Sequence, residues 1–330
     1  MPLDNVALFA FEAGRNYGER IASRFDMSLE PLEERSFEDG EHKARPLSNV
    51  RGKDAFVVCS LYGDGSLSVN DKLCRLLFFV GALRDAAAAS VTVVAPYLCY
   101  ARKDRKTKAR DPITSRYIAQ LFEAMSTDRF VTVDVHNLAA FQNAFRCPTE
   151  HLEARNLFVD HFAARLGDDK LAVISPDVGG TKRAEAFRRA LSEAVAEPPA
   201  GGFMEKQRSR GVVTGDTLVA EVSERSVIIL DDLISTGTTM LRCAKAARAA
   251  GARKIYAAAT HGLFMAGAAD VFSDAAIDGV VVSDTVPPFR LPPRLVERKL
   301  IVLDTTSLVA GAIHRIVTQG SIVELLGTET

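Results

Sequence analysis

Nine short apolar runs recur along the chain, and they constrain its fold more than any other feature. They are Val6 to Phe11, Ala55 to Ser60, Ser90 to Ala95, Phe130 to Val135, Leu171 to Ser175, Val227 to Leu230, Lys254 to Thr260, Gly279 to Ser283 and Lys299 to Leu303. Many are β-branched and too short for helices, so they read as strands buried on both faces. Helical patterns lie between many of them, at Asn70 to Ala89, Thr114 to Met125, Asn156 to Leu166, Gly180 to Glu193 and Thr239 to Ala250. Such alternation predicts an α/β fold, with a mainly parallel sheet flanked by helices.

With 330 residues the chain exceeds one average core, so two domains are expected. SVTVVAPYLCYAR and VTVDVH in the first half have counterparts in KLAVISPDVGG and VIILDDLISTG in the second. Two related α/β domains with a boundary near His151 to Asn156 follow. The segment Gly201 to Leu218 fits neither period and reads as a long surface loop or a hairpin able to close over a site.

Charge narrows the possible partners. With 41 basic and 42 acidic residues there is no net field to favour nucleic acid or a membrane surface. Five scattered cysteines, without a Cys-x-x-Cys pair, read as reduced buried thiols. The first residues carry acids and lack a basic leader, and no run of about 18 apolar residues occurs, so a cytoplasmic protein is expected.

The stretch VIILDDLISTGTT, Val227 to Thr239, carries chemistry. An apolar strand meets two carboxylates and then a small, hydroxyl-rich loop, at the strand end where α/β sheets bind ligands. Ser235, Thr236, Gly237, Thr238 and Thr239 provide hydroxyls and backbone amides for a phosphate monoester at a helix start. Asp231 and Asp232 can accept hydrogen bonds from sugar hydroxyls beside it. The residues therefore point to a phosphorylated pentose.

This string resembles the phosphoribosyl-binding motif of type I phosphoribosyltransferases and phosphoribosyl diphosphate synthetases. FEDGE at Phe37 to Glu41, NVRG at Asn49 to Gly52, PYLCYARKDR at Pro96 to Arg105 and SPDVGG at Ser175 to Gly180 precede it in order. In order and spacing, over nearly the whole chain, these resemble the ribose-phosphate diphosphokinase family. Two phosphoribosyltransferase-like domains are implied: residues 1–153, with a C-terminal helix in 307–330 packing back on them, and residues 154–306.

The resemblance also implies a reaction. The 1-hydroxyl of ribose 5-phosphate would attack the β-phosphorus of MgATP, giving 5-phosphoribosyl 1-diphosphate and AMP. Phe37, Asp39 and Glu41 match residues that hold adenine, often across a subunit interface, which implies a homo-oligomer. Arg102 and Arg105 match cations near ATP; Lys103 stands where the family commonly has Gln and is grouped with them. His136 matches a histidine near metal and ATP phosphates, Asp177 an aspartate near metal and ribose, and the implied metal is Mg²⁺. Lys206 and Arg208 match mobile-loop cations proposed to stabilise the transition state.

Three further departures accompany the match. Thr236-Gly-Thr-Thr239 replaces the common Thr-Gly-Gly-Thr, Ser235 replaces a frequent aspartate, and the stretch from Asn137 to Asn143 is altered. A regulatory homologue that binds an active synthetase, or a phosphoribosyltransferase, are the alternatives at this stage.

Overall fold

The computed structural model describes residues 5–209 and 212–327, with side chains described outside 206–216. The chain divides into two compact units, residues 1–153 with 306–330 and residues 154–305.

The first unit begins with β1 (Val6–Ala10), α1 (Arg15–Ser23) and the hairpin β2 (Leu32–Ser36) and β3 (His42–Pro46). There follow β4 (Asp54–Val58), α2 (Val69–Asp85), β5 (Ser90–Ala95), α3 (Thr114–Ala124), β6 (Arg129–Val133), α4 (Leu138–Ala144) and β7 (Thr149–Leu152). Its main sheet has the order β1-β4-β5-β6-β7, and every neighbouring pair is parallel. Helix α2 starts where it does because Ser68 and Asp71 close a reciprocal capping box. Its apolar face meets the sheet through Phe79, which is fully buried and edge-on to Phe9 at 5.3 Å between centroids. Burial of one such ring is worth about 1.5–3 kcal/mol.

The second unit comprises α5 (Arg155–Leu166), β8 (Leu171–Ser175), α6 (Thr181–Ser192), β9 (Ala200–Ser209), β10 (Val212–Ala220) and β11 (Ser226–Ile234). It continues through α7 (Thr238–Ala249), β12 (Lys254–Gly262), α8 (Ala268–Ser273), β13 (Gly279–Ser283), α9 (Pro293–Lys299) and β14 (Leu300–Leu303). Its sheet order is β10-β9-β8-β11-β12-β13-β14, parallel except for the β9–β10 pair. The chain then returns to the first unit with α10 (Thr306–Thr318) and α11 (Ile322–Leu326). Helix α10 packs on α1, where the Arg24 guanidinium donates to Thr306 Oγ1 at 3.2 Å.

All nine apolar runs are strands, and the fold is the expected α/β class of two phosphoribosyltransferase-like domains with mainly parallel sheets. Of the two readings of the segment from Gly201 to Leu218, the hairpin holds and the surface loop does not: β9 and β10 pair antiparallel, and β9 joins the sheet by pairing with β8 from Ala200 to Phe203. Other expectations need correction. Strand β11 does not stop at Leu230; it pairs with β12 as far as Ile234 and carries the acid pair within it. Strand β6 stops at Val133 because Asp134 takes a φ of +37°. The cysteines are not all buried: Cys59, Cys99 and Cys243 are, Cys147 is half-buried, and Cys74 is exposed.

Candidate active site

In the second unit, the acid pair and the hydroxyl loop form one continuous structure. Strand β8 pairs with β11 only as far as Ile229, whereas β12 follows it to Ile234. The carboxylates therefore stand beyond the β8 pairing. Asp232 is 3% exposed and Asp231 is half-buried. Asp231 Oδ1 accepts from the Asp232 amide at 2.9 Å.

Arg183, on the first turn of α6, donates from one Nη1 to Asp231 Oδ1 at 3.3 Å and to Asp232 Oδ1 at 3.2 Å. Burial pushes the Asp231 carboxyl well above the usual carboxylate range, and Asp232 adds to the effect while Arg183 opposes it. Arg183 is not among the site residues expected from the sequence. Its signal was a cation three residues into the helix that follows SPDVGG.

Beyond the pair, Gly237 is buried with φ +79° and starts α7 without a side-chain cap. The first amides of α7 are thus available to an anion, and the helix dipole favours one there. Thr236 Oγ1 and Thr238 Oγ1 lie 3.2 Å apart. Ser235, Thr236 and Thr239 are half-buried and Thr238 is exposed, so the predicted phosphate-binding residues are brought together on one turn.

Asp177 sits in the turn between β8 and α6. Its Oδ1 accepts from the Gly180 amide at 3.1 Å, and its carbonyl accepts from Ser175 Oγ at 2.6 Å. A Cβ at Gly180 would come within 2.6 Å of that Ser175 oxygen, which explains the glycine. The carboxylate retains acceptor capacity after one amide bond. A magnesium ion usually takes one or two protein ligands together with substrate phosphates, and Asp177 fits that requirement. Among the described residues no group of three or more His, Cys, Asp or Glu is placed to hold a metal by itself. Lys206 and Arg208 lie on β9 opposite Asp216 and Val213 in backbone register; their side chains fall outside the described residues.

In the first unit, FEDGE forms the turn of the β2–β3 hairpin. The Phe37 amide donates to the Glu41 carbonyl at 2.8 Å, and Gly40 has φ +91°, which favours glycine. Phe37 is 39% exposed, with the Arg35 guanidinium 4.9 Å from its ring centroid. Asp39 Oδ1 accepts from the Glu41 amide at 3.0 Å, so this acid also shapes the turn. Arg102, Lys103 and Arg105 are exposed on the loop between β5 and α3.

His136 is exposed and lies three residues after the end of β6. The neighbouring Asn137 caps α4 and also donates from Nδ2 to Asp104 Oδ2 at 2.7 Å. This bond draws the His136 segment to the cationic loop, and the shared chemistry of both is suited to phosphate oxygens.

Known proteins resemble the chain over nearly its whole length. Residues 6–126 match a family model described as the N-terminal domain of ribose phosphate pyrophosphokinase, and residues 203–327 match the phosphoribosyl synthetase-associated domain. A ribose-phosphate pyrophosphokinase 1 of Streptococcus pneumoniae is 35% identical over 318 residues, covering 96% of this chain and 95% of that protein. A ribose-phosphate pyrophosphokinase of Fusobacterium nucleatum is 34% identical over 324 residues, covering 98% of each. The crystal structure of phosphoribosylpyrophosphate synthetase from Mycobacterium smegmatis superposes with a TM-score of 0.86 at 30% identity, covering 96% of this chain and 100% of that one. With nearly full-length identity of this order in sequence and fold, the chain belongs to the ribose-phosphate pyrophosphokinase family and is an enzyme of that family.

Proposed function

We propose that the chain transfers the β,γ-diphosphoryl group of ATP to the 1-hydroxyl of ribose 5-phosphate, releasing AMP and 5-phosphoribosyl 1-diphosphate for nucleotide biosynthesis. The observation that carries this reading is the acid pair of β11 running without interruption into a hydroxyl-lined, uncapped helix start. The loop from Ser235 to Thr239 takes the 5-phosphate through amides and hydroxyls, and Asp231 and Asp232 accept from the ring hydroxyls. The sugar is thereby held by its phosphate and ring hydroxyls, which leaves the 1-hydroxyl to react.

Phe37, Asp39, Glu41, Arg102, Lys103, Arg105 and His136 are proposed to bind ATP, with Phe37 stacking on adenine and the cations at the phosphates. The exposed hairpin turn that bears Phe37 supports completion of the nucleotide site by a neighbouring subunit in a homo-oligomer. Asp177 in the second unit and His136 in the first are each proposed as a ligand for Mg²⁺, which when bound neutralises charge on the diphosphoryl oxygens. Lys206 and Arg208 are proposed to add positive charge where negative charge grows in the transition state. Residues 1–153 with the C-terminal helix would supply the nucleotide groups, and residues 154–306 the ribose groups. The five scattered cysteines, without a Cys-x-x-Cys pair, support a cytoplasmic location.

Asp232→Ala tests the sugar assignment. The expected result is a rise of about tenfold or more in the KM for ribose 5-phosphate, the effect of losing one charged hydrogen-bond acceptor, with the KM for ATP little changed. An unaltered KM for ribose 5-phosphate would count against it.

A further inference from the structure

The hydroxyl loop is supported from one side. Beyond Ile229 strand β11 has left β8 and runs beside β12 alone, so whatever follows β12 governs where the loop stands. That segment is Leu263 to Met265. The amides of Leu263 and Phe264 donate to the Ile234 carbonyl at 2.9 and 3.3 Å, and the Met265 amide donates to the Ser235 carbonyl at 2.9 Å. With these two carbonyls engaged, the loop turns amides and hydroxyls to a ligand instead of carbonyl oxygens. An anion requires that choice.

A packed aromatic pair lies under the same loop. Phe264 is 2% exposed, has φ +46° and packs edge-on to the fully buried Phe272 at 5.8 Å between centroids. A Cβ at Gly237 would come 2.5 Å from Phe272, and one at Gly262 would come 2.4 Å from Phe264. A non-glycine residue in the left-handed region persists only where its surroundings hold it. Here the buried ring and the three amide bonds do so.

The strap is also anchored from its far side. Arg290, half-buried in the stretch between β13 and α9, donates from Nη1 to the Leu263 carbonyl at 2.8 Å. Its guanidinium also lies 4.4 Å from the centroid of the Phe289 ring. Leu263 is thereby tied to Ile234 through its amide and to Arg290 through its carbonyl.

We propose that Leu263 to Met265 is a positioning strap for the phosphate-binding loop, and that Arg290 is a positioning residue setting its register for ribose 5-phosphate. Arg290 acts through Leu263 and touches no substrate in this account. The proposal rests on the assignment of the loop to ribose 5-phosphate.

The test compares Arg290→Met, Arg290→Lys and Phe264→Leu with the parent full-length chain, measuring ribose 5-phosphate binding by calorimetry alongside KM for each substrate. Loss of the charged hydrogen bond in Arg290→Met should weaken ribose 5-phosphate binding and raise its KM about tenfold, while the KM for ATP stays within about twofold. Arg290→Lys, which keeps a donor, should recover a large part of the loss. Phe264→Leu, which loosens the strap from within, should show the same selective loss. Equal ribose 5-phosphate affinity in folded Arg290→Met and Phe264→Leu would overturn the strap alone. No affinity for ribose 5-phosphate in the parent would overturn the loop assignment and the strap together. If Arg290→Met fails to fold, Arg290→Lys and Phe264→Leu decide the matter by the same selectivity.

Discussion

Arg183 Nη1 stands 3.2 Å from Asp232 Oδ1, and the same nitrogen reaches Asp231. One guanidinium on α6 thus spans two adjacent carboxylates on β11. Side by side and largely out of water, two acids resist joint ionisation, and a cation between them offsets part of that cost.

Removal of this cation should be visible in the pH dependence of binding. Arg183 lowers the Asp231 proton affinity that burial and Asp232 raise, so Arg183→Met should let the pair keep a proton to higher pH. A protonated acid accepts fewer hydrogen bonds. The acidic limb of ribose 5-phosphate affinity is therefore expected to move to higher pH, by about one unit or more if the lost interaction is worth about 1.4 kcal/mol. A parallel drop in affinity at every pH would place Arg183 in a purely structural role.

Gly237→Ala should damage both stability and binding. At φ +79° a side chain is strained, and the new Cβ would meet the Phe272 ring at 2.5 Å. A loss of about 1–3 kcal/mol in unfolding free energy is expected from backbone strain and overpacking. Denaturant titration measures it, and a stability equal to that of the parent would show that the loop relaxes freely.

Lys206→Ala should act on turnover. If the lysine contributes charge chiefly in the transition state, kcat falls by at least about 100-fold, or about 2.7 kcal/mol of barrier, with a modest change in ribose 5-phosphate binding. Steady-state kinetics decides this, and an unchanged kcat would remove Lys206 from the mechanism.

A buried ion pair in the first unit gives a stability prediction separate from the chemistry. Lys72 is 3% exposed, lies 2.6 Å from Asp64 Oδ2 and has its Nζ 3.8 Å from the Tyr62 ring centroid. Burial alone would push the Asp64 carboxyl up. Hydrogen bonds from Lys72, from Ser66 and from the amides of Leu67 and Ser66 outweigh it and hold the group well below the carboxylate range. The folded pKa is the lower one, so the stabilisation is present above the unfolded value of about 4 and is lost as pH falls below it. Lys72→Met leaves a carboxylate without its buried partner and should cost about 3 kcal/mol at neutral pH, with a smaller loss of stability on acidification. Thermal unfolding at pH 7 and pH 3 checks both parts.

Most of the strands legible in the sequence are buried on both faces; β14, half-exposed at the sheet edge, is legible only because its residues are apolar. Val91 to Ala95 and Val227 to Leu230 announce themselves because every residue is apolar or small. Strands β2 and β3 did not, since Leu32 to Ser36 and His42 to Pro46 belong to a two-stranded sheet with much of their surface exposed. Strand β9 was only half legible: its glycines and charges left loop and hairpin open, and pairing with β8 places it in the sheet. The acid pair and hydroxyl loop could be read directly because they are contiguous. Arg183 and Arg290 could not, because they reach the site through the fold, from α6 and from the stretch before α9.

The most direct measurement follows the phosphorus of ATP by ³¹P NMR when the purified chain is given Mg²⁺ and ribose 5-phosphate. Attack at the β-phosphorus predicts AMP in step with a diphosphoryl group attached to C1 of the sugar. ADP, with a single phosphoryl group transferred to the sugar or to water, would contradict the account.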